Sequence, residues 1–286
     1  MLELTTDKKL IEQYQYFYLR AFSEENEFSW NYLVNVYYDN QIKIYVEKDI
    51  KKDFKYGCFV LDKTINVDGE KKSAALVFGV VSDERFRGKG VLNLSFEPFL
   101  DQLAQQYDLV LIQSFNWKIY RNFKLQPLDN LHKFAILNQF KKNHHPNKID
   151  LFNYHLNQDK INQIYQIRKQ YLTKNKINHY SDYSLQEFNK YLLFNFLIGD
   201  VIYYDENHYC QLNKDYEAYQ LFYLDKNSVH DFILKIPTIL TLSLNDYQLD
   251  DFKHNQALIK TNQINLTRRY EKSKLKINQI FFNELN

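Results

Sequence analysis

A short segment of glycines and cations at residues 85–90 has a composition and spacing suited to binding an anion. It reads Arg85-Phe86-Arg87-Gly88-Lys89-Gly90 and fits the pattern R/Q-x-x-G-x-G. Between a strand and a helix, such a turn presents several backbone N–H groups in a concave nest, and the helix dipole adds positive potential there. The glycines remove side chains that would block close approach, and Arg87 and Lys89 add cationic donors. The segment therefore predicts a site for a phosphate or pyrophosphate group.

Two other glycine-rich phosphate motifs do not fit the segment. A Walker loop requires Gly-Lys-Ser/Thr after four intervening residues, and the chain has none at this place. A Rossmann fingerprint requires G-x-G-x-x-G followed by an acidic residue, and both are missing. The remaining alternative is a glycine-capped turn that carries surface cations without binding anything.

The turn can bind a phosphate in this way only if a strand precedes it and a helix follows it. Apolar spacing predicts a strand at Ser73–Ser82 before it and a helix from about Lys89 to Gln106 after it. A short buried strand at Leu109–Gln113 and a short helix at Trp117–Phe123 follow. The turn is therefore expected at the junction of a strand and a helix, where its N–H groups face outward.

Helical and strand patterns alternate over the first 140 residues, and from Ile239 onward the pattern is strand-like. Asp68-Gly69 predicts a hairpin turn, and Ser184-x-x-Glu187 predicts a helix start with a capping box. Further helices are predicted at 10–21, 30–38, 160–172 and 228–234, and strands at 41–47, 58–65, 201–204, 209–212, 218–223, 239–244, 257–260, 263–266 and 275–282.

This order of strand, glycine turn, helix and strand resembles the core of the GNAT N-acetyltransferase superfamily. The resemblance implies that the turn holds the pyrophosphate of acetyl-CoA and that the pantetheine lies along the preceding strand. Val80, Val81 and Ser82 would offer backbone groups to the pantetheine and thioester. The implied phosphate contacts are Arg87, Gly88, Lys89, Gly90, Val91, Leu92 and Asn93, and Phe115 and Asn116 would flank the cofactor where the two strands separate.

Two motifs narrow the resemblance. Phe-Arg-Gly-Lys-Gly-Val at residues 86–91 and Ile-Tyr-x-x-Phe at residues 119–123 look like the Eis-like (enhanced intracellular survival) branch. That branch implies an α/β (α+β) fold with a GNAT-type mixed twisted sheet, here at residues 1–140. A reduced GNAT-like domain is expected at 150–235 and a shortened sterol-carrier-like domain at 236–286. The polar segment at 138–150, which contains Pro146, predicts the first boundary.

The resemblance also implies a reaction, the transfer of an acetyl group to a primary amine on a small molecule or a lysine side chain. The amine must lose a proton, the thioester carbonyl must be polarised and the departing thiolate must be protonated. Tyr120 is the expected general acid, because a phenol with a pKa near ~10 can protonate a thiolate of similar basicity. The α-carboxylate of Asn286 is the expected general base. The alternatives are that Tyr120 only packs and that the terminus is frayed.

Composition excludes several other classes of function. Lys+Arg 37 against Asp+Glu 35 gives +2, too little basic excess for a histone-like nucleic-acid binder. Two cysteines supply neither a disulfide framework nor a zinc quartet, and no apolar run reaches the ~18–20 residues of a membrane span. We therefore expect no metal, no nucleic acid, no membrane partner and a cytoplasmic location, while homo-oligomerisation stays open. His144 and His145 are expected in a solvated linker, and Arg268-Arg269 at a solvated strand edge.

Two other functions are compatible with the sequence besides acetyl transfer. The downstream domains are shortened relative to the Eis-like branch, so the chain could bind CoA or a protein partner without turnover. It could also carry a small apolar ligand in its C-terminal part.

Overall fold

The computed structural model describes residues 2–22, 25–37, 42–114, 116–128, 131–142, 146–245, 248–264 and 267–277. The chain divides into two compact units. The first comprises Met1–Leu128 and Leu266–Ile280, and the second comprises Asp129–Asn265 and Phe281–Asn286. Predicted residues Phe115, His144, His145 and Asn286 lie outside the described residues.

The described residues form both helices and strands. The helices are α1 (Lys8–Ala21), α2 (Glu27–Tyr32), α3 (Val91–Gln106), α4 (Gln158–Lys174), α5 (Leu185–Leu197), α6 (Val229–Lys235) and α7 (Leu249–Phe252). The strands are β1 (Glu3–Leu4), β2 (Ile42–Lys48), β3 (Phe54–Val67), β4 (Glu70–Ser82), β5 (Leu109–Gln113), β6 (Leu125–Pro127), β7 (Leu131–Ile136), β8 (Asn147–Ile149), β9 (His179–Ser181), β10 (Val201–Tyr204), β11 (His208–Leu212), β12 (Glu217–Tyr223), β13 (Thr241–Asn245), β14 (Leu258–Ile264) and β15 (Thr267–Tyr270). A π-helical turn at Leu33–Tyr37 extends α2, and a 3₁₀ turn at Trp117–Tyr120 follows β5.

Local signals in the sequence set several of these boundaries. The side chain of Asp7 accepts a hydrogen bond from the backbone N–H of Lys9 and starts α1. Ser184 and Glu187 form the predicted capping box of α5. Asp68 and Gly69 adopt positive φ angles of 52° and 89°, as a tight hairpin between β3 and β4 requires.

The first unit has a mixed sheet with the strand order β1-β2-β3-β4-β5-β15-β6. Its neighbouring strands are antiparallel except for β4 and β5, which run parallel. Helix α3 is the crossover between those two strands, and its residues Phe96, Phe99 and Leu100 are fully buried against the sheet. This connection places the glycine turn at the C-terminal end of β4.

Strand β15 corrects one prediction from the sequence. It lies between β5 and β6 and pairs with both, so the expectation of a solvated edge at Arg268-Arg269 is wrong. Arg269 is 6% exposed and donates from Nε to the carbonyl of Ile277. Nη1 of the same guanidinium is also buried and has no hydrogen-bond partner among the described residues.

The second unit has a seven-stranded sheet with the order β14-β7-β13-β12-β11-β10-β8. Only β12 and β13 are parallel within it. Helices α4 and α5 contribute buried residues such as Ile161, Tyr171 and Tyr191 to its core. The α/β fold class is confirmed by these two mixed sheets and their helices.

The division into units differs from the predicted domain boundaries. The change of unit falls at Leu128 and Asp129, ahead of the polar segment at 138–150. The residues predicted as a sterol-carrier-like part are divided, with β13 and β14 in the second sheet and β15 in the first. Leu275–Ile277, expected to begin a final strand, are not in a strand. The functional assignment of residues 150–286 stays a prediction.

In the described part of the chain, no helix combines the length and apolarity needed to cross a bilayer.

Candidate functional site

The sheet of the first unit opens between its two parallel strands. The last Cα partners of β4 and β5 are Val77 and Ile112, whereas β4 continues to Ser82. A cavity of about 860 Å³ lies at this opening. Its lining includes the end of β4, the glycine turn and the first turn of α3, and also Lys118, Ile119, Arg121 and Asn122.

The glycine turn presents backbone donors that have no partners. Among the described residues, the N–H groups of Gly88, Gly90, Val91 and Leu92 form no hydrogen bond. Gly88 and Gly90 have φ angles of +71° and +70°, and a Cβ added at either would meet nothing within 4 Å. The glycines therefore provide the left-handed turn and keep the space beside the N–H groups open. Four backbone donors within residues 88–92 that are unpaired in the described part of the chain are a donor set suited to a phosphate group.

The N-terminus of α3 adds to this donor set. Gly90 is the N-cap residue and has no side chain to accept from the first turn, and no acidic residue lies in that turn. The helix is 16 residues long, so the partial positive charge at its N-terminus is uncompensated by the protein.

Charge around the cavity is predominantly positive. Arg20 and Glu84 form an ion pair at 3.0 Å between Nη2 and Oε1. The other cations that line the cavity are Arg87, Lys118 and Arg121, and none has an ion-pair partner among the described residues. Three cations without counter-ions beside four free N–H groups favour an anionic ligand with several charges.

Arg85, the first residue of the glycine motif, stabilises the turn. Arg85 donates from Nε (2.9 Å) and Nη2 (2.6 Å) to Oδ2 of Asp83, which is buried. This guanidinium holds the pKa of Asp83 below its usual range, although burial opposes it. Arg85 therefore fixes the start of the turn, and its charge is already balanced.

Tyr120 is buried in an aromatic cluster behind the cavity. It is 3% exposed and packs against Phe96, Trp117 and Phe123. Its neighbours Ile119 and Arg121 line the cavity, but Tyr120 does not. Burial raises the pKa of Tyr120, with a smaller contribution from Cys58, the residue opposite the irregular part of β4. In this arrangement Tyr120 is a protonated but weak acid.

Most of the predicted cofactor residues lie together. Nine line the cavity: Val80, Val81, Ser82, Arg87, Gly88, Gly90, Val91, Leu92 and Asn93. Lys89 and Asn116 are exposed and do not line it. The side chain of Asn116 instead accepts from the backbone N–H of Lys118 and caps the 3₁₀ turn. The roles assigned to these residues stay predictions.

Several lining residues had not been predicted from the sequence. Lys118, Arg121 and Asn122 flank the predicted Tyr120, so the motif itself was a usable signal for them. Arg20 at the end of α1 and Tyr56 on β3 are distant in sequence, and only the tertiary fold brings them to the cavity. Tyr56 hydrogen-bonds Ser95 of α3 at 2.5 Å between the two hydroxyl oxygens, which ties α3 to the sheet.

The corresponding connection of the second unit, between its parallel-paired strand β12 and helix α6, has different chemistry. Residues 224–228 contain no glycine. Asp225 accepts from the Asn227 backbone N–H at 2.9 Å and from the Ser228 hydroxyl at 2.6 Å. His208 bridges Asp205 and Ser228, at 2.7 and 3.0 Å. Because Ser228 gives its proton to Asp225, this group is a hydrogen-bonded turn, and its carboxylates would repel a phosphate.

The described residues include no group of three or more His, Cys, Asp or Glu that could hold a metal ion. Cys58 and Cys210 are both free and buried. Burial raises the pKa of both thiols, so neither is disposed to act as a thiolate.

No family model matches the chain, and no curated protein matches its sequence. Solved structures do match its fold. A GCN5-related N-acetyltransferase from Kribbella flavida is similar with a TM-score of 0.63 at 11% identity, over 94% of this chain and 71% of that one. Eis1 from Mycobacterium abscessus is similar with a TM-score of 0.63 at 10% identity, over 96% and 74%.

A further similar structure is the N-myristoyltransferase of Saccharomyces cerevisiae with bound myristoyl-CoA. Its TM-score is 0.53 at 9% identity, over 94% of this chain and 82% of that one. Identities this low show the fold alone. The chain has the fold of the GCN5-related N-acetyltransferases, Eis1 included, and the fold expected from its glycine turn is confirmed.

Proposed function

We propose that the chain is an acyl-CoA-dependent N-acyltransferase, with acetyl-CoA as the donor and a primary amine as the acceptor. The observation that carries this proposal is the glycine turn. Its four N–H donors without partners lie at the end of a strand that has separated from its parallel neighbour. The cations beside it match the several negative charges of a CoA nucleotide.

The cavity residues divide into two groups by what they would bind. The N–H groups of Gly88, Gly90, Val91 and Leu92 would bind the pyrophosphate, with Arg87 as a cationic donor. Lys118 and Arg121 would neutralise further phosphate charge from residues 118–122. Val80, Val81 and Ser82, at the unpaired end of β4, would offer backbone groups to the pantetheine and thioester.

Acetyl-CoA would supply an activated acyl group as a thioester. In the transfer, a C–N bond forms and the C–S bond breaks, while the amine gives up a proton and the sulfur takes one up. Tyr120 is the residue proposed to donate to the sulfur, and the α-carboxylate of Asn286 is the group proposed to accept from the amine.

A second candidate is a module that binds acyl-CoA without turnover. It is favoured by the burial of Tyr120, whose side chain is outside the cavity lining and whose pKa is raised. The same cavity would then hold the ligand, and no proton would be delivered to the sulfur. The third candidate from the sequence, a carrier of small apolar ligands, has no observation in its favour.

The experiment that separates these candidates combines calorimetry with an assay for released thiol. Acetyl-CoA is titrated into the protein, and CoA release is then followed with a polyamine, an aminoglycoside and a lysine peptide, and with a tertiary amine as the control. We expect saturable binding and release that requires a primary amine. Binding without release would favour the second candidate, and neither binding nor release would overturn both.

A further inference from the structure

Strand β4 carries an irregularity beside the cavity. Gly57 and Phe59 of β3 pair with Val81 and Phe78 of β4, so two residues of β4, Gly79 and Val80, stand opposite a single residue of β3. This is a β-bulge, in which the extra residue is left out of the ladder. Neither Gly79 nor Val80 has a partner on β5 either, because that pairing ends at Val77.

One side chain from α1 holds the bulge. Tyr14 is completely buried, and its hydroxyl donates to the carbonyl oxygen of Gly79 at 2.8 Å. A Cβ at Gly79 would lie 2.9 Å from Tyr18, 3.0 Å from Phe59 and 3.0 Å from the Tyr14 hydroxyl. With a φ of +62° as well, the position requires glycine.

The hydroxyl of Tyr14 stays a donor throughout the working pH range. Burial raises the pKa of Tyr14 well above its ordinary value, and interactions with Cys58, Tyr18 and Tyr120 raise it further. A hydrogen bond with the backbone of Phe59 lowers the pKa of Tyr14, but by less than burial raises it.

The peptide group between Gly79 and Val80 connects this hydrogen bond to the cavity. The described residues contain no cis peptide, so the C=O and N–H of that group point in opposite directions. With the C=O directed to Tyr14, the Val80 N–H points away from α1, and Val80 lines the cavity. A hydrogen bond to a carbonyl also polarises the peptide and strengthens its N–H as a donor.

We propose that Tyr14 is a positioning residue for acyl transfer: it fixes and polarises the 79–80 peptide so that the Val80 N–H can stabilise the negative charge developing on the thioester oxygen. This inference rests on the proposed function. Tyr14 itself touches neither substrate. Its effect passes through one peptide group, which distinguishes it from the general acid and base.

The test compares Tyr14→Phe with Tyr18→Phe. Both tyrosines belong to α1 and to the same aromatic cluster, but the Tyr18 hydroxyl donates to Glu25 at 3.3 Å, whereas the Tyr14 hydroxyl donates to the Gly79 carbonyl at 2.8 Å. In Tyr14→Phe we expect kcat for acetyl-CoA to fall about 10- to 100-fold while KM changes less than about threefold. The carbonyl stretch of bound ¹³C-labelled acetyl-CoA should move toward its value in water. Tyr18→Phe should change neither quantity.

A measurement on the ligand-free protein separates this inference from the proposed function. Tyr14→Phe should shift the Val80 amide resonance and leave that of Ser82 in place. If the Val80 resonance shifts but the wild type transfers no acyl group, the proposed function fails and the coupling through the peptide stands. If turnover, carbonyl stretch and Val80 resonance are all unchanged in Tyr14→Phe, the inference is overturned.

A second variant covers the case in which Tyr14→Phe does not fold. With 3-fluorotyrosine at position 14, the ring is kept and its hydroxyl becomes a stronger donor. The carbonyl stretch of bound acetyl-CoA should then move to a lower frequency than in the wild type. An unchanged frequency in this folded variant would overturn the role of Tyr14.

Discussion

Gly88 is the residue on which the anion site depends most directly. Its N–H has no partner among the residues that the structure describes, its φ is +71°, and the space where a side chain would stand is open. An L-residue here loses both the backbone conformation and the open space. Asp would add a negative charge beside the predicted pyrophosphate.

Gly88→Asp should therefore weaken acetyl-CoA binding by at least about 2 kcal/mol, through lost contacts and charge repulsion. Gly69→Asp is the matched control, because Gly69 also has a positive φ of 89° and open space around a Cβ, but lies in the β3–β4 hairpin. Calorimetry on both variants gives the comparison. Equal affinities in the two variants would contradict the assignment of the turn.

Tyr120→Phe tests the proposed acid. Within the described residues its hydroxyl forms no hydrogen bond, so we expect the melting temperature to change little. If the hydroxyl protonates the thiolate, kcat should fall by ~10²–10⁴ with cofactor affinity nearly intact. Tyr107→Phe, which alters a phenol bonded to Asp62, is a control away from the cavity. A loss confined to KM would assign the hydroxyl to substrate positioning.

Asp200 should make the stability of the second unit depend on pH. It is 3% exposed and accepts from Gln211 at 2.8 Å and from the hydroxyl of Tyr219. Burial raises the pKa of Asp200 from 3.8 to about 7, against the lowering effect of these two donors. A folded pKa above the unfolded one means that this stabilising contribution is complete below about pH 4 and is lost as the pH rises through about 7.

Asp200→Asn should remove the loss of stability that the wild type shows as the pH rises through about 7. The difference between 3.8 and about 7 corresponds to about 4 kcal/mol as an upper figure. We expect the variant to gain free energy of unfolding relative to the wild type at pH 8, and to gain little at pH 4. Denaturant titrations at both pH values measure this, with the exposed Asp215→Asn as the control. If Asp200→Asn changed the free energy of unfolding equally at pH 4 and pH 8, the raised pKa of Asp200 would be contradicted.

At the scale of elements, β15 completes a strand path, β1-β2-β3-β4-β5-β15-β6, whose other six strands precede residue 128. It pairs with β5 and β6 at once. Tyr270 is fully buried and donates to Asp101 of α3 at 2.7 Å, and Ser273 accepts from the backbone N–H of Val110 at 3.0 Å. Without β15, both neighbouring strands would have unpaired edges inside the first unit.

Two truncated chains separate the structural from the catalytic role of the C-terminal segment. A chain ending at Ile277 keeps β15, so we expect it to fold and bind acetyl-CoA, but to lose turnover by ~10²-fold or more if the Asn286 carboxylate is the base. A chain ending at Asn265 lacks β15 and should lose the cooperative unfolding of the first unit. Circular dichroism melts and the thiol-release assay distinguish them. Full turnover in the chain ending at Ile277 would exclude Asn286 as the base.

At the scale of the whole molecule, the two sheets share one plan. The main strand path of each sheet has seven positions, of which the fourth and fifth are parallel to each other in the described residues. In each path the sixth position is filled by a strand distant in sequence, β15 or β7. In the described part of the chain, a glycine turn whose N–H groups have no partner follows the fourth strand of the first unit. At the corresponding place in the second unit, Asp225 accepts hydrogen bonds from Asn227 and Ser228 of the same turn.

This difference predicts one acyl-CoA per chain. Calorimetry of the full-length protein should give a stoichiometry of one, and Gly88→Asp should remove the whole signal, because the carboxylates near Ser228 repel phosphate. Replacing Asp225 with Asn should leave the stoichiometry unchanged, since it supplies neither a glycine nor free N–H groups. A stoichiometry of two, with one site surviving in Gly88→Asp, would contradict the contrast between the units.

The sequence by itself determined the local parts of this protein. Periodicity and capping residues located α1, α3, β4 and β5, because these signals act within a few residues of the chain. The glycine motif predicted nine of the residues that line the cavity, since they are continuous with the turn or with β4. The GNAT-type fold followed from the order of those elements.

Only the tertiary structure decided what depends on distant pairings. β15 is an interior strand because it pairs with β5 on one side and β6 on the other, and nothing in Thr267–Tyr270 alone indicates those distant pairings. Arg20 and Tyr56 reach the cavity through the packing of α1 and α3 on the sheet. Tyr14 meets Gly79 across 65 positions of sequence. Such contacts follow from the closing of the sheet and its helices around one core, which single-sequence periodicity does not encode.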